Sequence, residues 1–283
     1  MPTVAEALRA AERRLAQTSD SPRLDAEFLL AYAMGVERSR MLMRLDEPVP
    51  ADALESYLAR RAAGEPIAYI LGTWEFYSLE IEVEPPVLVP RPETEHLVEA
   101  VLEFIGDRPA RVLDLCTGTG CVAVAIAKNA PRVQVLAADI EPRYIDLARR
   151  NAARHGLQDR VHTAQGDLFA ALPAGDPLFD VICANPPYVA QREWDGLSET
   201  IRHYEDPGAL LSGPDGLDCV RRISADAQKF LKPGGLLAIE IGAGQVEAVR
   251  SLLHSAGYED IRFHRDLAGI DRITSGRKPD RPV

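Results

Sequence analysis

Hydrophobic positions in the first part of the chain recur at intervals of three and four residues, as they do on one face of an α-helix. Leu8, Ala11 and Leu15 follow this spacing, and Leu54 and Leu58 repeat it further along. Prolines at positions 22, 48 and 50 divide the pattern into short helices. The sequence therefore predicts a small helical bundle, and we take residues 1–72 as an N-terminal helical domain.

After residue 72 the pattern changes to an alternation of apolar and acidic residues, which is typical of a half-exposed strand. Residues 76–83 end in this alternation, and we predict that residues 73–88 form a hairpin that links the helical domain to the rest of the chain. Prolines at 85–86 and at 90 and 92 bracket an extended loop. A helix is predicted from about Glu93 to Ile105.

From residue 111 onward, short apolar runs alternate with helical patterns. The predicted strands are residues 111–115, 133–138, 161–164, 180–183 and 236–241, and the predicted helices are 121–129, 143–155, 217–231 and 245–256. Such alternation indicates parallel strands with crossover helices on both faces of the sheet. Residues 260–264 and 270–274 are predicted to close the sheet as an antiparallel pair. The fold class is therefore α/β over residues 89–283, preceded by the helical domain.

Composition and charge narrow the possible functions. The 283-residue chain carries a formal net charge of -11, whereas an enzyme that binds duplex nucleic acid needs a positive surface. None of the four cysteines has CxxC spacing, and no histidine pairs with another ligand residue at metal-binding spacing, so we expect a reduced cytoplasmic protein without a metal site. No apolar run approaches the length of a membrane span, and no signal peptide is visible.

A glycine-rich turn, Cys116-Thr117-Gly118-Thr119-Gly120, follows the first predicted strand of the α/β region and precedes a helix. Its glycines permit a sharp bend and let a ligand approach the backbone. The second strand ends in Asp139, whose carboxylate can accept hydrogen bonds from both hydroxyls of a ribose. The third strand leads to Leu168, where an adenine edge is expected. A nicotinamide cofactor and S-adenosylmethionine both fit this arrangement.

Asp114, just before the turn, favours S-adenosylmethionine. A carboxylate at this position repels a pyrophosphate but attracts the ammonium group of a methionine moiety. The structural alternative is that Asp114 caps the turn and that Asp139 caps the following helix, ahead of Pro142.

The stretch Asn185-Pro186-Pro187-Tyr188 follows the fourth strand, at the edge where open α/β sheets bind their ligands. Two consecutive prolines remove two backbone donors and fix an extended conformation, so the Asn185 amide oxygen and the Pro186 carbonyl are expected to act as acceptors. Tyr188 adds a flat aromatic face. We predict a socket for a planar amino group, with Asn185, Pro186 and Tyr188 in catalysis and all four residues in substrate binding. A proline-rich turn without function is the alternative.

These motifs resemble those of the HemK/PrmC family, whose members methylate a glutamine side chain in peptide chain release factors. The resemblance covers nearly the whole chain and implies a Rossmann-like S-adenosylmethionine-dependent methyltransferase sheet. Further segments that carry it are residues 64–72, 75–77, 89–95, 213–218, 233–235, 240–242 and 266–272. The family's cofactor residues correspond to Cys116, Thr117, Gly118, Thr119, Gly120, Asp139, Leu168 and Asn185. Two positions depart from the family pattern: Cys116 replaces a frequent glycine, and Leu168 stands where relatives carry an aromatic residue. Arg91 and Thr94 have either a cofactor-rim or a purely structural role.

The resemblance implies methyl transfer from S-adenosylmethionine to the glutamine amide of the Gly-Gly-Gln motif in release factors. The amino group of adenine or cytosine in DNA or RNA is the alternative acceptor, because it presents the same planar nitrogen. A non-catalytic cofactor-binding scaffold is a third possibility, which has no need of an amide socket. We expect a cytoplasmic monomer that acts on a release factor, with the helical domain recognising it, and neither a nucleic-acid substrate nor membrane association.

Overall fold

The structure is a computed structural model that describes residues 1–173, 175 and 178–280. Two compact units emerge. The helical unit consists of Met1–Trp74, Val83–Pro85 and Ser198–Tyr204, and the sheet unit comprises the described part of the remaining chain. Within the described residues, no helix has the length and apolar character needed to cross a membrane.

Five helices precede the first strand, and helices and strands are interspersed from there on. The α-helices are α1 (Val4–Leu15), α2 (Pro22–Met34), α3 (Arg38–Leu42), α4 (Ala51–Ala62), α5 (Ile67–Leu71), α6 (Glu95–Ile105), α7 (Cys121–Asn129), α8 (Pro142–Arg154), α9 (Glu199–Tyr204), α10 (Asp218–Asp226) and α11 (Val246–Ser255). The strands are β1 (Thr73–Phe76), β2 (Leu79–Glu82), β3 (Ala110–Leu115), β4 (Val133–Asp139), β5 (Val161–Gln165), β6 (Phe179–Ala184), β7 (Leu231–Glu240), β8 (Glu259–Arg265) and β9 (Asp271–Arg277).

In the helical unit, the periodic apolar residues form the core, as the sequence predicts. Leu8 and Leu15 of α1 and Leu29 of α2 are fully buried. The first helix begins at a capping box, in which the Thr3 hydroxyl accepts from the Glu6 amide and the Glu6 carboxylate accepts from the Thr3 amide. The helical pattern predicted for this part of the chain is confirmed.

The hairpin of β1 and β2 differs from the sequence-based expectation in the position of its turn. Tyr77 and Ser78 form the turn, with φ of 52° and 61°, inside the run that the alternation marks as one strand. Positive φ at both central residues is the geometry that two-residue hairpins favour, although glycine or asparagine usually supplies it. Here the Glu95 carboxylate accepts from the Tyr77 amide at 2.7 Å and the Glu75 carboxylate accepts from the Ser78 amide at 2.6 Å. These contacts hold a turn that has no glycine.

Among the described residues, β3 to β9 form one seven-stranded sheet in the order β5-β4-β3-β6-β7-β9-β8. Neighbouring strands from β5 to β7 run parallel, whereas β9 is antiparallel to both β7 and β8. The predicted parallel sheet and its antiparallel closing pair are therefore confirmed. Leu115 lies level with Ala138 of β4 and Ala184 of β6, so the segments that follow these three strands emerge at one edge.

The predicted helix over residues 217–231 is wrong at its carboxyl end. Helix α10 ends at Asp226, a single 3-10 turn covers Ala227–Lys229, and Leu231 already belongs to β7. Leu231 pairs with Phe179 of β6 and is fully buried there. Its apolar side chain fits a helical pattern and a buried strand equally well, and pairing with β6 decides between them.

Candidate active site

An open cavity of about 180 Å³ lies at the carboxyl ends of β3, β4 and β6. It is lined by eight of the residues predicted from sequence: Asp114, Cys116, Thr117, Gly118, Thr119, Asp139, Asn185 and Pro187. Gly120, Leu168, Pro186 and Tyr188 do not line it. The sheet therefore brings the glycine turn, the acidic strand end and the start of the Asn-Pro-Pro-Tyr segment to one place, as open α/β sheets do with their ligand sites.

The two glycines of the turn have different roles. A Cβ on Gly118 would meet nothing closer than 3.7 Å, and this residue faces the cavity. A Cβ on Gly120 would lie 2.8 Å from the Cβ of Ala148 in α8. Both glycines have a positive φ, +53° for Gly118 and +77° for Gly120, which disfavours a side chain at either position. Gly118 thus leaves room for a ligand, whereas Gly120 allows close packing of α8 against the turn.

Asp139 ties the glycine turn to the end of β4. Its carboxylate accepts from the Gly118 amide at 2.9 Å and from the Glu141 amide at 3.1 Å. Burial raises the pKa of Asp139, while the backbone donors oppose that shift. These contacts hold the glycine turn and the segment ahead of α8, but they do not cap that helix, whose N-cap is Glu141 and has no side-chain capping hydrogen bond. A carboxylate has about four acceptor positions, so two remain for a ligand in the cavity.

Asp114 is a buried carboxylate at the floor of the cavity, with 1% of its surface exposed. It accepts a hydrogen bond from the Thr117 hydroxyl at 2.5 Å, which fixes the turn. Burial raises the pKa of Asp114 to about 7, and the charge of Asp139 acts in the same direction. A cation bound in the cavity would stabilise the ionised form, because an opposite charge nearby favours ionisation.

Asn185 presents the most informative polar atom of the site. Its Nδ2 donates to Thr94 Oγ1 at 3.1 Å, while its Oδ1 is buried and has no hydrogen-bond partner among the described residues. A buried acceptor without a partner costs about 1–3 kcal/mol, and native proteins contain few of them. Because Asn185 lines the cavity, this oxygen fits a donor on a bound ligand.

The rest of the Asn-Pro-Pro-Tyr segment is anchored to β7 and to the loop after it. The Tyr188 hydroxyl donates to Glu240 Oε1 at 3.4 Å, and the Tyr188 carbonyl accepts from Gln245 Nε2 at 3.0 Å. Burial raises the pKa of the Tyr188 phenol, so this group remains protonated at neutral pH. Pro186 is buried, whereas Pro187 reaches the cavity wall.

Leu168, which the sequence predicts at the adenine edge of a cofactor, does not line the cavity. It is buried with a φ of +50° and belongs to the same hydrophobic cluster as Leu113 and Ala138. The cavity wall after β4 is formed instead by Ile140, which is 59% exposed, and by Tyr144. The Tyr144 hydroxyl donates to Asp206 Oδ2 at 2.8 Å.

Arg91 lines another part of the cavity wall and is paired with Glu205, a contact that the sequence does not predict. Its Nη2 lies 2.7 Å from both carboxylate oxygens of Glu205, which is almost fully buried. Burial raises the pKa of Glu205 and Arg91 opposes that shift. The two residues are 114 positions apart, and neither this pair nor Tyr144 with Asp206 has a local sequence signal.

Asp139→Ala is expected to weaken binding of the methyl donor while leaving the chemistry of the bound complex largely intact. Two charge-assisted hydrogen bonds to ribose hydroxyls suggest a loss of roughly 1.5–3 kcal/mol each, as an upper range, because water can partly substitute. Calorimetric titration with S-adenosylmethionine measures the affinity. Asp146→Ala, on the exposed surface of α8, is the matched control. Unchanged affinity in Asp139→Ala would remove this residue from the binding site.

Sequence comparisons identify two matching family models and close relatives of this chain. A family model described as the PrmC N-terminal domain matches residues 6–72, and a methyltransferase small domain model matches residues 93–203. The release factor glutamine methyltransferase of Rhodopirellula baltica is 46% identical over 270 residues, which are 92% of this chain and 90% of that protein. Its counterpart in Burkholderia pseudomallei is 44% identical over 98% of this chain and 96% of its own length.

Solved structures share the fold at lower sequence similarity. A methyltransferase from Pyrococcus furiosus superposes with a TM-score of 0.54 and 18% identity, covering 80% of this chain and 98% of its own. At this identity the likeness concerns the fold. The sequence relatives, in contrast, are similar along almost the whole chain. The protein therefore belongs to the release factor glutamine methyltransferase family.

Proposed function

We propose that this protein transfers a methyl group from S-adenosylmethionine to the side-chain amide nitrogen of the glutamine in the Gly-Gly-Gln motif of a peptide chain release factor. The observation that carries the proposal is the buried, unpartnered Oδ1 of Asn185 at the cavity wall. An amide –NH2 supplies the donor that this oxygen lacks. The names of the relatives, which match over 92% of this chain and more, support the choice of acceptor.

The residues at the cavity fit S-adenosylmethionine. Gly118 leaves its backbone open to the cavity, Asp139 has free acceptor positions for the ribose hydroxyls, and Asp114 would face the ammonium group. When bound, the cofactor supplies a methyl group activated on a sulfonium. The Thr117 hydroxyl, already engaged with Asp114, keeps this carboxylate in place.

The socket compensates for the poor nucleophilicity of a carboxamide nitrogen, whose lone pair is delocalised into its carbonyl. This nitrogen is also far too weak an acid to be deprotonated at neutral pH. Hydrogen bonds from the –NH2 to Asn185 Oδ1 and to the Pro186 carbonyl draw electron density onto nitrogen and fix its direction. Positioning and preorganised dipoles therefore supply most of the acceleration. The proton passes to water, and no ionisable general base is assigned.

Tyr188 and Pro187 complete the substrate site in this proposal. The Tyr188 ring packs on the plane of the amide, and its hydroxyl is held by Glu240. Pro187 restricts the loop and forms part of the cavity wall.

The proposal also assigns the partner and the domain roles. Residues 1–72 form the domain that recognises the release factor, residues 73–88 link it to the catalytic domain, and residues 89–283 carry the chemistry. The enzyme acts as a cytoplasmic monomer on a protein and not on nucleic acid. A net charge of -11 supports a protein partner, because duplex binding requires a positive surface.

One assay tests the proposed function against its alternatives. A labelled methyl donor is offered in parallel to purified release factor, DNA and ribosomal RNA. We expect label only in the release factor, at the glutamine of the Gly-Gly-Gln loop as located by peptide mass spectrometry. Label confined to nucleic acid would favour the base-methylating alternative, and binding of the donor without any transfer would favour a scaffold.

A further inference from the structure

One wall of the cavity is built from two loops that are distant in the chain. The first loop, residues 86–91, lies between β2 and α6, and the second loop, residues 205–209, follows α9. Arg91 of the first loop and Asp206 and Gly208 of the second line the cavity. Both loops belong to the sheet unit, but neither contributes a strand to its sheet. Other contacts must therefore hold them at the cavity.

Two contacts join the loops to each other. The Asp206 amide donates to the Pro86 carbonyl at 2.8 Å. Arg91 Nη2 donates to both carboxylate oxygens of Glu205, each at 2.7 Å, and Glu205 is only 3% exposed. A buried charge is tolerated when it is paired, so Glu205 fixes the place of Arg91. Because Glu205 does not line the cavity, it acts on a bound ligand only through Arg91 and the second loop.

A third contact holds the second loop to α8. The Tyr144 hydroxyl donates to Asp206 Oδ2 at 2.8 Å, and Arg143 Nη2 lies 3.5 Å from the same oxygen. Asp206 Oδ1 accepts from the Gly208 amide at 2.9 Å and thereby caps the single 3-10 turn of this loop, Pro207–Ala209. Burial raises the pKa of the Tyr144 hydroxyl and Asp206 adds to this shift, so the hydroxyl keeps its hydrogen at neutral pH.

Asp206 differs from Asp139, although both carboxylates line the cavity. Asp139 accepts from two backbone amides and keeps about two acceptor positions for a ligand. Asp206 faces three partners, namely Tyr144, Arg143 and the Gly208 amide, which use most of its acceptor positions. Its carboxylate therefore holds the second loop in place and has little capacity left for a ligand.

A wall that is already ordered before a ligand arrives favours binding. A loop that becomes ordered only in the complex loses conformational freedom at that moment, and this loss weakens the observed affinity. Here the second loop is held to the first loop and to α8 by contacts that lie within the protein itself. These contacts do not require a ligand, so the wall is preformed.

We propose that two side-chain pairs keep the second loop in place as a preformed wall of the methyl-donor site and thereby raise the affinity for the methyl donor. The pairs are Tyr144 with Asp206 and Arg91 with Glu205. All four are positioning residues in this inference. It rests on the proposed function in one respect, that the cavity holds the methyl donor, and it does not depend on which acceptor is methylated.

The test uses the full-length enzyme and two near-isosteric substitutions. Tyr144→Phe removes the hydroxyl and keeps the ring at the cavity, and Glu205→Gln removes the charge that pairs with Arg91. Calorimetry with S-adenosylmethionine should show an affinity about fivefold lower in Tyr144→Phe, the ratio that corresponds to one net hydrogen bond. The loss in Glu205→Gln should be at least about tenfold, because hydrogen bonds between charged groups are stronger.

The chain offers a matched control for each substitution. Tyr258→Phe removes a hydroxyl from a buried tyrosine that does not line the cavity. Glu247→Gln neutralises an exposed carboxylate on α11. Both controls should bind the methyl donor as the wild type does.

Three readouts separate positioning from a general structural effect. At saturating methyl donor, kcat should stay within about twofold while KM for the donor rises, as expected when only binding is affected. In an Asp206→Ala background, Tyr144→Phe should add almost no further loss, because residues that act through one another are not additive. Without donor, backbone amides of residues 205–211 should exchange hydrogen faster in Tyr144→Phe and Glu205→Gln than in wild type, and bound donor should restore their protection.

Each outcome supports or overturns the inference. Wild-type donor affinity in both substitutions would overturn it, and so would lower affinity without faster exchange in the second loop, since the side chains would then act as direct ligands. Thermal unfolding identifies loss of folded protein, and if Glu205→Gln does not fold, Tyr144→Phe decides.

Asp139→Ala separates this inference from the proposed function. If Asp139→Ala weakens donor binding while Tyr144→Phe and Glu205→Gln do not, the preformed wall is refuted and the donor site stands. If none of the three weakens donor binding, the cavity is not the donor site and both proposals fail. Methylation of nucleic acid in place of release factor would refute the proposed acceptor and leave these binding measurements in force.

Discussion

Asn185→Ala is expected to lower turnover on the order of a hundredfold or more, the loss typical of removing one preorganised catalytic hydrogen bond. The affinity for the methyl donor should change far less, because the free Oδ1 is assigned to the reacting amide. Single-turnover transfer of labelled methyl to release factor measures the chemical step, and calorimetry measures donor binding.

Asn129→Ala is the matched control for this experiment. Asn129 is exposed at the end of α7, and its Nδ2 donates to the Ala125 carbonyl at 2.9 Å, away from the cavity. It should leave both turnover and donor binding unchanged. Turnover near the wild-type value in Asn185→Ala would refute the socket mechanism as a whole.

Replacing the glutamine of the Gly-Gly-Gln loop by asparagine should abolish detectable methylation of the release factor. The shorter side chain withdraws the amide nitrogen from Asn185 Oδ1 by about the length of one bond, and misplacement by 1 Å can cost about a hundredfold in rate. The two glycines let the loop enter the crevice without side-chain clashes. Intact mass spectrometry should show one added methyl on wild-type factor and none on the variant.

A folded release factor should also be a far better substrate than an isolated Gly-Gly-Gln peptide. The reason is the proposed recognition of a wider protein surface by the helical domain, which a short peptide cannot provide. Comparing kcat/KM for the two substrates measures this contribution.

For the Gln-to-Asn comparison, equal methylation of the glutamine and asparagine factors would contradict the proposed reach of the socket.

Much of the fold could be predicted because its signals are local. Strands β3, β4 and β6 are short apolar runs, so the sequence predicts their ends to within one or two residues. The sequence does not indicate the turn at Tyr77 and Ser78, because its positive φ values depend on a contact with Glu95 in another element. The sequence predicts Leu231 in a helix, because only its pairing with Phe179 identifies it as part of a strand.

Part of the site could also be predicted, because several of its residues have local sequence signals. Asp114, the glycine turn, Asp139 and Asn185 each stand at the end of an apolar run, and topology brings those ends together. The family resemblance predicts Leu168 at the adenine, but Leu168 has a positive φ and belongs to a buried hydrophobic cluster. The sequence alone gives no definite role to Tyr144, Thr94 or Glu240, since their contacts join distant segments of the chain.

The helical unit is built from segments that are far apart in the chain, and this affects the order in which the protein folds during synthesis. This unit includes α9, which follows the Asn-Pro-Pro-Tyr segment in the chain, and the Tyr204 hydroxyl there donates to the Ala63 carbonyl at 3.3 Å. Domains generally fold in the order in which the ribosome releases them, N-terminal first, at about 5–20 residues per second. The N-terminal helices are synthesised first, but their contacts with α9 can form only after α9 has left the ribosome. By then four of the five parallel strands, β3 to β6, have already been translated.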